Sequence, residues 1–117
     1  IRTSLFVDPD EETLEISADL GVTAVELHTG EYANAANPEE RDAQLARLRS
    51  ATQTAIGLGL AVHAGHGLTY DTVSPVAAFP EVQELNIGHF LIGEAIFLGL
   101  GPAIAEMRRL MDDARKG

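Results

Sequence analysis

The sequence predicts an α/β fold made of four βα units in series, half of the eight units that close a TIM (β/α)8 barrel. Three observations carry this expectation. Short apolar, β-branched runs alternate with longer segments of helical periodicity, the pattern of a parallel sheet covered by helices. Each apolar run stops at Gly, Asp-Pro or Thr-Gly, residues that break a strand or start a turn. Polar side chains with chemical potential sit at these junctions, where parallel βα folds collect their functional groups.

Residues 3 to 7 read as a buried strand closed by Asp8-Pro9-Asp10, and Leu14, Ile16, Ala18 and Leu20 fit a short helix that Gly21 stops. Ala24-Val25-Glu26-Leu27-His28 is the second strand, ended by Thr29-Gly30, and a polar loop rich in Asn and Ala leads to Pro38. Residues 39 to 58 form a long amphipathic helix whose stripe holds Leu45, Leu48, Ala51, Thr52, Ala55 and Leu58. Leu60 to Ala64 is the third strand and runs into Gly65-His66-Gly67; a short segment from Thr72 to Ala78 stops at Pro80. Glu84 to Ile87 is the fourth strand, followed by Gly88-His89, an apolar helical stretch from Phe90 to Leu98, and a last helix entered at Pro102. No linker, low-complexity segment or internal boundary interrupts this order, so residues 1–117 read as one partial domain.

Composition narrows the function. The longest apolar candidate, Phe90 to Leu100, is short and contains Glu94, so no membrane span of roughly 20 residues is expected. A formal net charge of −10 argues against nucleic-acid binding, which needs a basic face to displace counterions. With no Cys there is neither a disulfide nor a thiolate nucleophile in these residues, which fits a reducing compartment and makes the cytoplasm the default. The chain opens in an apolar stretch with no initiator Met or basic leader, so an N-terminal part is expected to be missing. An acidic protein can still grip a phosphorylated metabolite through backbone N–H groups, His and helix N-termini.

Of the four His, His28, His66 and His89 lie at strand-to-loop junctions. Glycines on both sides of His66 let the backbone approach a ligand while presenting one imidazole, making it a candidate acid or base near neutral pH. The bland alternative is a tight turn in which His66 only makes a hydrogen bond. Gly88-His89 precedes a helix-like segment and, with Gly67, could bind phosphate as the loops after the last two strands of such barrels do; close helix–strand packing is the competing reason for Gly88. Glu26, mid-strand among apolar residues, shares a face with His28 by period-two alternation. It is either a catalytic carboxylate or part of a structural network. His63 has parity opposite to His66 and is expected on the other side of the sheet as a structural residue. Glu26, His28, His66 and His89 show no tight metal-ligand spacing, so no metal is expected. The acidic runs Asp8 to Glu12 and Glu39 to Asp42 read as helix N-terminal charges, and Arg108-Arg109 and Arg115-Lys116 as C-terminal ones.

At these motifs the chain resembles the pyridoxine 5′-phosphate synthase family. The resemblance runs through Val7-Asp8, Glu26-Leu27-His28-Thr29-Gly30, Ala64 to Tyr70, Glu84 to His89, and the closing Ala105 to Met111. It implies a TIM barrel of which this chain supplies the C-terminal four βα units, the N-terminal half being absent. It implies condensation of 1-deoxy-D-xylulose 5-phosphate with 3-amino-2-oxopropyl phosphate to pyridoxine 5′-phosphate, phosphate and water, with no cofactor and no metal. By the same resemblance His66 donates protons, Glu26 stabilises charge in the transition state, and Gly67, Gly88 and His89 bind the phosphate of the amino-oxopropyl substrate. A homo-oligomer is implied for the full-length protein, and the piece alone is expected to be inactive. Two rivals stand beside it. Another sugar-phosphate barrel enzyme is possible, although a Schiff-base aldolase wants a strand-end Lys and the only Lys is Lys116. The other is a non-catalytic half-barrel module for phosphate binding or assembly.

Overall fold

A computed structural model describes residues 4–87, 91, 94, 96 and 99–116 of the chain. Its elements run β1 (Ser4–Val7), α1 (Glu11–Asp19), β2 (Ala24–His28), α2 (Gly30–Ala33), α3 (Pro38–Gly57), β3 (Ala61–Gly65), α4 (Val73–Ala77), β4 (Val82–Asn86) and α5 (Leu100–Lys116). The strands form one parallel sheet in the order β1-β2-β3-β4. Sequential neighbours in a parallel sheet require every connection to cross over, and the intervening helices make those crossings.

The helices cover one face. Val25, Leu27, Val62 and Ala64 point into it and are at most 1% exposed. They pack in one cluster with Leu14 of α1, Leu48 and Ala55 of α3, Val76 of α4 and Met107 of α5. Full burial of each Val, Leu and Met side chain among them contributes about 1.5–3 kcal/mol, so this layer fixes the sheet and thereby its strand ends. In register across the other face stand Phe6, Glu26, His63 and Glu84, then His28, Gly65 and Asn86 one step further on. No described helix packs there, and Phe6 is 56% exposed.

Local signals set the helix starts. The Asp10 carboxylate caps α1 by accepting the Thr13 backbone N–H at 2.8 Å, and Asn37 caps α3 by accepting the Glu40 N–H at 2.8 Å with Pro38 at the first helical position. Acidic side chains occupy both first turns, Glu11 and Glu12 in α1 and Glu39 and Glu40 in α3, as the macrodipole favours. Leu20 caps α1 and Gly21 follows with φ +81°, the left-handed stop expected of it.

Several boundaries and faces differ from the sequence expectation. The stretch after Thr29 is not all loop: α2 forms there and buries Tyr32, whose hydroxyl donates to the Thr72 carbonyl at 2.7 Å. A four-residue helix is too short to leave a periodic signature. β4 begins at Val82, two residues early, because Val82 pairs with Val62 across an irregular register step. Leu58 leaves the buried stripe as the C-cap of α3, 38% exposed. Arg108 and Arg109 are mid-helix rather than C-terminal: Arg109 lies 2.7 Å from Glu106 and 3.1 Å from Asp113, and only Arg115 and Lys116 occupy the last turn. Of the expected Phe90–Leu98 helix, the described positions Leu91, Glu94 and Ile96 are helical.

Candidate functional site

The C-terminal ends of β2, β3 and β4 converge on the open face. β2 delivers Glu26 and His28 to it, since alternate residues of a strand share a side. The same alternation places His63 there: it pairs in register with Glu26 and its Nε2 lies 3.7 Å from Glu84 Oε2. His63 therefore does not point to the opposite side. Parity with His66 misleads because His66 lies beyond the strand, in a turn where period-two alternation no longer holds.

His66 has φ +85° and is the only non-glycine residue with positive φ among the described residues. The left-handed region costs an L-residue roughly 1–2 kcal/mol, so the surroundings must hold it. They do so through Thr29, fully buried, whose Oγ1 lies 2.6 Å from the His66 carbonyl oxygen and 2.7 Å from that of Gly65. The hydroxyl has one proton, which it donates to one carbonyl or the other. The Thr29 backbone N–H donates to the Gly65 carbonyl as well, at 2.9 Å.

This backbone turn swings the His66 ring back over β2. The His66 and His28 rings stack with centroids 4.6 Å apart and planes 29° apart, and Phe6 meets both edge-on, at 5.1 Å from His28 and 6.4 Å from His66. His28 Nδ1 accepts the Gly30 N–H at 3.2 Å. A neutral imidazole that accepts at Nδ1 carries its proton on Nε2, so this bond selects the tautomer. A Cβ on Gly30 would sit 2.4 Å from His28 Cε1, so the ring can fold this closely over the chain only because residue 30 is glycine.

Glu26 is half-buried rather than buried, and its Oε1 accepts a hydrogen bond from Asn86 Nδ2 of β4. The structural alternative for Glu26 is a bond to a His or to the backbone; the bond it makes is instead to the Asn86 side chain. Asn86 can lie this close to β3 because its register partner there is Gly65, where a Cβ would come 2.8 Å from the Asn86 backbone oxygen. Gly67 is exposed with φ +82°, and a Cβ there would meet Ala33 of α2 at 3.2 Å. Gly88 and His89 lie outside the described residues. Among the described residues no cluster of three His, Cys, Asp or Glu could hold a metal, and no helix is long and apolar enough to cross a membrane.

The arrangement offers three imidazoles, His28, His63 and His66, and two carboxylates, Glu26 and Glu84, on one open face, with a backbone turn beside them. It can move protons and stabilise charge on a bound substrate. Sequence reasoning singled out Glu26 and His66 but assigned no part to Thr29, Asn86 or Phe6. Asn86 and Phe6 follow from period-two alternation with Glu84 and Ser4, whereas the Thr29 contact joins residues 36 and 37 positions apart and leaves no local signal.

Residues 1–113 match the family model described as pyridoxal phosphate biosynthesis protein PdxJ. The chain is 62% identical over 117 residues to the pyridoxine 5′-phosphate synthase of Roseobacter denitrificans, covering 97% of this chain and 47% of the relative. It is 61% identical to that of Ruegeria pomeroyi, with 97% and 47% covered. With that of Rhodospirillum rubrum it shares 58% identity, with 100% and 47% covered. The chain thus spans about half the length of the curated relatives it matches. It belongs to the pyridoxal phosphate biosynthesis protein PdxJ family.

Proposed function

We propose that this chain supplies half of a (β/α)8 barrel that acts as a pyridoxine 5′-phosphate synthase. The reaction joins 1-deoxy-D-xylulose 5-phosphate to 3-amino-2-oxopropyl phosphate and releases phosphate and water. The observation that carries the reading is His66: it is held in a left-handed conformation at a strand end and turned over the same open face as Glu26. Strain of this kind persists where function requires it.

In this reading the open face becomes the barrel interior once the edges β1 and β4 meet further strands. His66 gives protons to hydroxyls that leave as water, a task matched to imidazole near neutral pH. Glu26, oriented by Asn86, stabilises positive charge that develops on nitrogen as the imine forms. Gly67 with Gly88 and His89 grips the phosphate of the amino-oxopropyl substrate, which holds one reactant in register for the other. No organic cofactor or metal enters this scheme. The four units stand as the last four of the barrel, because phosphate sites of such barrels gather after the final strands. The complete enzyme is a cytoplasmic homo-oligomer, and the chain alone is inactive because it lacks half the walls of the site.

The test joins this chain to the first four βα units of the Roseobacter denitrificans relative and measures formation of pyridoxine 5′-phosphate from the two substrates. A second fusion, to the relative's last four units, serves as the control for order. Turnover in the first fusion alone, lost in His66→Asn, is the expected result. A folded first fusion without turnover, or one indifferent to His66→Asn, overturns the reading and favours a non-catalytic half barrel.

A further inference from the structure

We infer that His28 is a positioning residue that sets the ring plane of His66. The inference rests on reading His66 as the proton donor.

Three independent features converge on the His28 ring. Its own orientation is fixed by the Gly30 N–H donating to Nδ1 at 3.2 Å, and by the missing Cβ at Gly30 that lets Cε1 approach the backbone. One face stacks on His66, centroids 4.6 Å apart. Its remaining flank meets the edge of Phe6 at 5.1 Å. The backbone of His66 is pinned through Thr29, but that contact leaves χ1 and χ2 of the imidazole free to turn. The stack with His28 removes that freedom, since displacing the ring forfeits the contact of two aromatic faces. A proton donor must present its N–H along the line to the accepting oxygen, and a misplacement of about 1 Å can cost on the order of 100-fold in rate.

Ring and nitrogen make separable predictions. His28→Leu and His28→Gln both remove the ring, and Gln keeps an acceptor for Gly30, whereas His28→Phe keeps the ring and loses the acceptor. The variants are made in the complete enzyme, this chain joined to the complementary half from the Roseobacter denitrificans relative. The ring-less variants should lower kcat by about 10- to 100-fold with KM for both substrates changed less than about twofold, the signature of an interaction lost in the transition state only. His28→Phe should recover kcat to within about threefold of the parent. Ring proton resonances of His66 should move in the ring-less variants and hold in His28→Phe.

Full kcat in both ring-less variants overturns the inference. So does equal impairment of His28→Phe and His28→Gln, which would make a ring nitrogen the active feature, and so does a rise in KM at constant kcat, which would make His28 a substrate contact. Should one ring-less variant fail to fold, the other and His28→Phe still decide. Turnover surviving in His66→Asn sinks the proton-donor reading by itself; the His66 resonances then still show whether His28 orients the ring.

Discussion

The hydroxyl of Thr29 lies 2.6 Å from the carbonyl oxygen of His66, joining the end of β2 to the turn after β3 at a fully buried point. This single side chain holds the strained residue of the site. Thr29→Val keeps the shape and removes the proton, leaving the two carbonyls without that donor. It should destabilise the complete enzyme by about 1–3 kcal/mol in urea denaturation and lower turnover, while Thr29→Ser restores both. A fully stable, fully active Thr29→Val would show that the turn is held elsewhere.

Gly65, the last residue of β3, faces Asn86 of β4 with no room for a side chain. Gly65→Ala would put a methyl 2.8 Å from a backbone oxygen, which no side-chain rotation relieves. We expect a loss of about 1–3 kcal/mol from overpacking, read as a lower denaturation midpoint. Because the same shift moves Asn86 away from Glu26, kcat should fall with it. An unchanged midpoint would mean the sheet gives at no cost.

Tyr32 ties α2 to the segment before α4 through its bond to the Thr72 carbonyl. Burial pushes its phenol above the ordinary tyrosine range, helped by Asp42 and opposed by Arg41. The folded state thus favours the neutral phenol. Its contribution is complete below the unfolded value near 10 and disappears as pH rises through the higher folded value. Tyr32→Phe should cost about 1–2 kcal/mol at neutral pH and flatten the loss of stability above pH 10. An alkaline profile identical to the parent's would contradict this.

At the acidic end Asp10 acts in the opposite sense. The Thr13 backbone N–H and hydroxyl, at 2.8 and 2.7 Å, hold its carboxyl below the usual aspartate range. Its contribution is present above the unfolded value and lost as pH falls through the lower folded one. Asp10→Ala should lower the thermal midpoint at neutral pH, and the difference from the parent should vanish in strong acid. A constant difference down to the acid limit would remove the carboxylate charge from the explanation.

Where local chemistry decides, the sequence alone was enough. Alternation placed Glu26 and His28 on one face and Val25 and Leu27 on the other, since the strand period is two whatever surrounds it. Asp8-Pro9-Asp10 marked the end of the first strand and the start of α1, because a cap satisfies backbone groups within a few residues. The doublet Gly65 and Gly67 around His66 marked the turn that carries the imidazole.

Tertiary structure decided what depends on contacts between units. His63 stands beside Glu26 because β2 and β3 pair in that register; parity with His66, a residue outside the strand, points the other way. The stack of His66 on His28, the Asn86 bond to Glu26 and the Thr29 grip on His66 each join residues more than 30 positions apart. Their geometry exists only once the apolar face of the sheet is packed against α1, α3, α4 and α5. Periodicity reports which side of an element is buried; it carries no information on which side chains of neighbouring units meet, because that is set by register and by the backbone turn at His66.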